Sequence, residues 1–233
     1  MAGPNLRRMS DPHRLLVIDD DPVVRDAYRT FFGQLAEFVI SGEARNGSEG
    51  VEAYATLLPD IVLMDLQMPG VSGIEATRQI CDRWPDACVV AMTTFGTSEY
   101  VVAALRAGAS GYLLKDVGGP ALVAALRQAM AGDMPLSSAV RRELVSSVVE
   151  DRPVAPEVPD VGLTPRELEL LGWLAQGLTN HQIGAQMYVS EGSVKQYLLQ
   201  IGRKLQVRSR TGILIRAVQL NLVDPHALPA VRD

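Results

Sequence analysis

Short apolar runs rich in β-branched residues alternate with longer amphipathic stretches through the first half of the chain. Leu15-Leu16-Val17-Ile18, Phe38-Val39-Ile40, Ile61-Val62-Leu63-Met64, Ala87 to Met92 and Tyr112-Leu113-Leu114 predict five strands. Between and after them the spacing predicts helices from Pro22, over Ser48 to Leu57, near Ile74 to Trp84, from Ser98 to Ala107 and from Pro120 to Ala131. Asp21 followed by Pro22 reads as an N-cap and a first helical residue. Five strand–helix units predict an α/β fold, a doubly wound parallel sheet. Its strands are apolar throughout, as burial on both faces requires.

Beyond Gly132 the pattern changes. Ser137 to Glu150 predicts one more helix, and Pro153, Pro156 and Pro159 then mark an extended linker. The C-terminal stretch is helical only, near 164–176, 179–187, 190–205 and 209–221. Thr164-Pro165-Arg166-Glu167 and Thr179-Asn180-His181-Gln182 are capping boxes that open the first two of these helices. Leu168, Leu171, Leu174 and Ala175 predict the buried stripe of the first, Ile183 and Met187 that of the second. Val194, Leu198, Ile201 and Leu205 predict that of the third. Two helices joined by a tight turn at Tyr188-Val189-Ser190, the second carrying exposed basic and amide residues, match a helix-turn-helix DNA reader. The expected organisation is a sheet domain over 12–133, a linker over 134–160 and a small all-α four-helix domain over 161–224.

Charge supports that division. The 233 residues carry a net charge of −5, which is unpromising for a nucleic-acid binder. From Pro12 to Asp133, however, 9 Lys and Arg face 16 Asp and Glu, whereas from Val161 to Asp233 the balance is 8 against 5. Only the back of the chain suits a polyanion. Cys81 and Cys88, the only cysteines, read as small core residues of a reduced compartment. With no secretory signal pattern and no apolar run near the ~18 residues that span a bilayer, a cytoplasmic protein without membrane association is expected.

Asp19, Asp20 and Asp65 each fall at the C-terminal end of a predicted strand, the edge where parallel sheets bind ligands. Three converging carboxylates call for a cation, and hard oxygen ligands suit Mg²⁺. An aspartate beside magnesium can act as nucleophile in phosphoryl transfer and form an acyl phosphate. Thr93 and Lys115 close the fourth and fifth strands and can offer a hydroxyl and an ammonium to a phosphoryl group. Asp21 reads as a helix cap rather than a further metal acid.

Val17-Ile18-Asp19-Asp20, Asp65 through Gly73, Thr93-Thr94 and Gly108 through Asp116 together resemble the response-regulator receiver. The resemblance implies Asp65 as phospho-acceptor, Asp19 and Asp20 with it as the metal site, and Lys115 as the phosphate-contacting lysine. It implies Thr93 and Tyr112 as the switch pair whose inward movement remodels the neighbouring surface. Leu163 through Glu167, Gly177 through Asn180, Ile183 and Val189 through Lys195 resemble the helix-turn-helix of the LuxR/NarL (FixJ) family. That likeness places a recognition helix at about Ser193 to Lys204, presenting Lys195, Gln196, Leu199, Gln200 and Arg203. Lys195 can meet phosphate or guanine and Gln196 an adenine edge, and backbone-phosphate contacts are expected from Lys204, Arg208 and Arg210. Tyr197 and Leu199 depart from many relatives, so the operator sequence does not carry over. Gly202 is expected to weaken this helix by roughly 1 kcal/mol relative to alanine.

The resemblance implies a two-component transcription regulator, not an enzyme. A sensor histidine kinase would be its phosphodonor, with homodimerisation on phosphorylation and partners in double-stranded DNA and RNA polymerase. Two rivals stand beside it. Asp19-Asp20-Asp21 also fits an aspartate-nucleophile phosphatase, although Pro22 and the lack of a cap-sized insertion speak against one. The other is a regulator whose receiver only mediates protein contacts.

Overall fold

The computed structural model describes residues 11–94, 98–136 and 161–223, with no side-chain description at 98 and 99. The helix expected over 137–150 and the proline-rich linker lie outside the described residues. Strands β1 (His13–Ile18), β2 (Phe38–Ala44), β3 (Ile61–Asp65), β4 (Val89–Thr93) and β5 (Gly111–Leu114) form one parallel sheet of order β2-β1-β3-β4-β5. Helices α1 (Pro22–Phe32), α2 (Gly47–Leu57), α3 (Gly73–Arg83), α4 (Ser98–Arg106) and α5 (Gly119–Met130) connect and flank the strands. Every residue of β3 and β4 is buried, as the unbroken apolar runs predict. Alternate side chains serve opposite faces. Leu16, Ile18, Val62 and Met64 pack in one apolar layer, while Leu15, Val17, Ile61 and Leu63 join Phe32, Leu122 and Leu126 in the other.

β2 runs four residues beyond its expected end at Ile40. Leu15 pairs with Ile40 but Leu16 with Gly42, so Ser41 is an inserted residue, and its hydroxyl donates to Leu15 O (3.2 Å). An edge strand accepts such a bulge and the polar residues after it, which is why apolar patterning stopped short.

The second unit comprises α6 (Pro165–Ala175), α7 (Asn180–Met187), α8 (Glu191–Leu205) and α9 (Arg210–Gln219). Both expected capping boxes are present. The α8 stripe of Val194, Leu198, Ile201 and Leu205 is buried as expected. In α6, Leu171, Leu174 and Ala175 are buried as expected and Glu167 and Leu170 join them, whereas Leu168 is exposed. Glu167 turns inward at this face, where its carboxylate accepts from Lys204 Nζ at 2.6 Å. Gly202 is buried rather than exposed. A Cβ there would lie 2.7 Å from Val207 O, so the glycine lets the chain close after α8 and is no simple defect.

The two units are in contact, with α9 packed against α4. Val101, Leu105 and Tyr112 of the first belong to one apolar cluster with Leu214, Ile215 and Val218 of the second.

Candidate acidic site and nucleic-acid interface

Parallel pairing of β1 with β3 sets Ile18 beside Met64, and so brings the acids that follow each strand to the same edge. Asp19 and Asp65 are buried and Asp20 is exposed, and carboxylate oxygens of all three lie within 4.8 Å of one another. Lys115, just past β5, places Nζ 2.7 Å from Asp19 Oδ2 and 2.9 Å from Asp65 Oδ2. Its own amide donates to Thr93 O (2.8 Å), fixing it to the end of β4. Asp65 Oδ1 accepts from Gln67 N (3.2 Å), and Asp19 Oδ1 from Asp21 N (3.0 Å).

Burial pushes the Asp65 carboxyl above the usual carboxylate range, against the opposing hydrogen bonds from Lys115 and Gln67. Burial alone would lower the Lys115 ammonium, but its bonds to Asp19 and Asp65 raise it. One ammonium facing three acids leaves the cluster negative. That charge and the all-oxygen donor set fit a hard divalent cation, with Asp19, Asp20 and Asp65 able to hold it.

Thr93 is buried at the end of β4, and the Tyr112 ring is buried on the adjacent strand. Burial raises the Tyr112 phenol, and a hydrogen bond with Thr93 acts in the opposite direction. Asp21 caps α1 by accepting from Val23 N (2.8 Å) and stands exposed, as its reading as a cap requires. A further contact escaped the sequence reading: Arg25, one turn into α1, donates from its guanidinium to Asp19 O (2.6 Å). Cys81 and Cys88 are partly buried, and burial pushes their thiols up to about 11 and about 12, which disfavours the reactive thiolate.

In the helical unit, Tyr188 turns the chain between α7 and α8 in the left-handed region (φ 56°), and Ser190 caps α8. Gly184 makes room for this turn, since a Cβ there would stand 2.7 Å from Val189 O. Lys195, Gln196, Leu199, Gln200 and Arg203 are exposed along α8, and Arg208 is exposed just after it. Lys195 pairs with Glu191 at 2.9 Å. Two of the residues expected at phosphate also bond within the protein: the exposed Lys204 with Glu167, and the half-buried Arg210 with Asn180 Oδ1 and Leu178 O. Lys195, Leu199 and Arg208 line a cleft of about 920 Å³ whose other wall includes Asp82 and Asp86 of the sheet unit.

Comparison with known proteins agrees with this geometry. Residues 15–127 match the response regulator receiver domain, and residues 161–217 match the bacterial regulatory proteins of the luxR family. The nitrate/nitrite response regulator NarL of Escherichia coli (strain K12) is 37% identical over 201 residues, covering 86% of this chain and 92% of that protein. The transcriptional regulatory protein LiaR of Bacillus subtilis (strain 168) is 37% identical over 211 residues, covering 91% and 99%. The crystal structure of ChrA, the response regulator of a heme-sensing two-component system, is 35% identical with a TM-score of 0.50, covering 91% and 99%.

The chain is a two-component response regulator of the LuxR/NarL family. Its receiver carries a Lys115-bridged acidic cluster, and its second domain is the LuxR-type helix-turn-helix of a transcription regulator. The phosphatase rival falls away with the family. Among the described residues of this response regulator, no helix is long and apolar enough to cross a membrane.

Glu167 ties the DNA-binding domain of this response regulator together. Burial acts to raise its carboxyl, yet the bonds from Lys204 and Thr164 hold it below the usual range. A depressed carboxyl contributes stability above its unfolded pKa and loses it as pH falls through the folded value. Lys204→Met should therefore cost about 2 kcal/mol at neutral pH by stranding a buried carboxylate. The deficit should shrink as pH drops below 4.5, the ordinary value. Denaturant unfolding of the full chain on both sides of that pH reads the effect.

Proposed function

We propose that Asp65 accepts a phosphoryl group from a sensor histidine kinase, and that the acyl phosphate so formed frees the DNA-binding domain to dimerise on promoter DNA. The observation that carries this reading is the buried Asp65 carboxylate, at a strand end, bridged to Asp19 by Lys115. In the transfer the histidine nitrogen–phosphorus bond breaks and an Asp65 Oδ–phosphorus bond forms. Asp19, Asp20 and Asp65 would hold Mg²⁺, which when bound neutralises phosphoryl oxygens. Lys115 exchanges part of its contact with Asp65 for the new anion, and the Thr93 hydroxyl turns toward the same group. Tyr112 follows the space that Thr93 vacates, a local charge event that biases a two-state surface.

On DNA, Lys195, Gln196, Leu199 and Arg203 face the major groove and Arg208 meets backbone phosphate. Lys204 and Arg210 join it at backbone phosphate, while their bonds to Glu167, Asn180 and Leu178 hold α6, α7 and α9 in place. The apolar face of α9, now covered by α4, would meet a second copy once the domain is free. RNA polymerase at the promoter is the further partner, and the cytoplasm the place of action.

The test is intact mass of the full chain after incubation with magnesium and acetyl phosphate. A single phosphoryl adduct mapping to the peptide that holds Asp65 is the expected result. No adduct from either acetyl phosphate or histidine kinases would instead favour a regulator whose receiver serves only protein contacts. Lys195→Ala should weaken binding of the phosphorylated protein to an operator fragment about tenfold without altering its unfolding midpoint. A mobility-shift titration with unchanged affinity would remove Lys195 from the interface.

A further inference from the structure

β5 is an edge strand, so one side of it presents backbone groups that no described strand pairs. The chain returns to that edge directly after α5. Tyr112 N donates to Pro135 O (3.3 Å), and Pro135 passes so close to β5 that a Cβ on Gly111 would stand 2.6 Å from its Cγ. This short segment also holds the DNA-binding domain. Asp133 Oδ1 accepts from Asn180 N (2.8 Å), the first amide of α7, and Met134 Sδ accepts from Thr211 Oγ1 (3.1 Å) on α9. The same Thr211 hydroxyl also reaches Ala109 O (3.2 Å), three residues before Tyr112. Asn180 and Thr211 are both buried at this junction, and Asn180 Nδ2 adds contacts to Ala131 O and Gly132 O (3.4 Å each).

From these contacts we infer that residues 133–136 form a strap that couples the position of Tyr112 to the hold on the DNA-binding domain. One side of the strap is bonded to the backbone of the switch tyrosine. The other side is bonded to the first helix of the helix-turn-helix and to α9. A shift of β5 at Tyr112 moves Pro135, and with it Asp133 and Met134. Conversely, releasing Asn180 and Thr211 loosens the segment that covers Tyr112 N. The link is mechanical and reciprocal, as any coupling between two sites must be. It rests on the proposed phospho-acceptor role of Asp65 only in assigning phosphorylation as the input that moves Tyr112.

The test uses the unphosphorylated full chain and two variants, Asp133→Ala and Thr211→Val, neither of which lies on the DNA-facing side of α8. Hydrogen–deuterium exchange is followed at the Tyr112 and Asn180 amides, and affinity for random-sequence duplex DNA is measured by anisotropy. Each variant should speed exchange at Tyr112 as well as at Asn180 and raise DNA affinity by up to about tenfold, the scale of the one strap hydrogen bond that each removes. The double variant should gain less than the product of the two, since both act on one strap. Unchanged exchange at Tyr112 in both variants, with normal unfolding midpoints, would overturn the coupling even if Asn180 loosens. Intact mass on the same samples keeps the two ideas apart. Failure of wild type to take a phosphoryl group counts against the phospho-acceptor reading, whereas the strap is judged by the unphosphorylated variants alone.

Discussion

Asp65→Asn should abolish the phosphoryl adduct and at the same time stabilise the folded receiver by about 1 kcal/mol. The loss of function arises because an amide oxygen is no nucleophile for phosphorus. The gain in stability arises from burial, which raises the Asp65 carboxyl above its ordinary value. An acid so shifted is held charged at a cost to the folded state at neutral pH, and the cost fades as pH falls through the folded pKa toward the unfolded one. Asparagine keeps the shape and the acceptor for Gln67 N, while Lys115 retains Asp19. The advantage of the variant should therefore be largest near neutral pH and close at acid pH. Thermal unfolding at several pH values, beside intact mass with magnesium and acetyl phosphate, tests both halves. An adduct that persists on the variant would move the acceptor elsewhere. A variant less stable than wild type at neutral pH would mean that Lys115 more than offsets the burial of Asp65.

The sequence made the acidic site legible because each of its residues sits at a strand end, where apolar runs stop and chemistry begins. Asp19, Asp65, Thr93 and Lys115 come together through strand register alone, and register is set by burying β1, β3 and β4 on both faces. The inward stripe of α8 was readable for a similar reason, since helical periodicity fixes which side faces a core. The internal partners of Lys204 and Arg210 were not legible, because a basic residue on or beside a recognition helix looks the same whether it stands free or meets a group of its own fold. Only the tertiary partner, Glu167 or Asn180, separates the two. Glu167 itself carried a signal, as the last residue of a capping box, but that motif explains its bond to Thr164 N and says nothing of Lys204. The contact of Asp133 with Asn180 spans two domains and has no local pattern at all.

The arrangement of charge gives the closed form a further property. The basic and amide face of α8 would attract DNA, yet Lys195 and Arg208 look across the interdomain cleft toward Asp82 and Asp86. The net negative receiver thus borders one edge of the surface best suited to a polyanion, while Gln196, Gln200 and Arg203 lie outside the cleft. Apolar packing of α4 on α9 supplies the adhesion between the two units.

Gly73→Ala should destabilise the receiver by about 3 kcal/mol and impair phosphorylation, although Gly73 bears no chemistry. Gly73 opens α3, and its amide donates to Leu66 O (3.2 Å). A Cβ there would stand 1.8 Å from Asp65 O and 2.8 Å from Leu66 Cα, both backbone atoms of the chain that positions the acceptor. No rotamer change relieves that overlap, so either α3 or the end of β3 must move. α3 is held along its buried face, where Ala76 and Ile80 pack with Val62 and Met64 of β3. Displacement of the end of β3 would carry Asp65 away from Lys115. Gly70→Ala is the matched control. Gly70 has φ 79° but nothing within 4 Å of a new Cβ, so it should cost only about 1 kcal/mol of backbone strain. Denaturant unfolding and the rate of adduct formation should fall together for Gly73→Ala, while Gly70→Ala keeps most of both. Equal losses in the two variants would mean that left-handed strain in the loop governs the acceptor, not the close approach of α3 to β3.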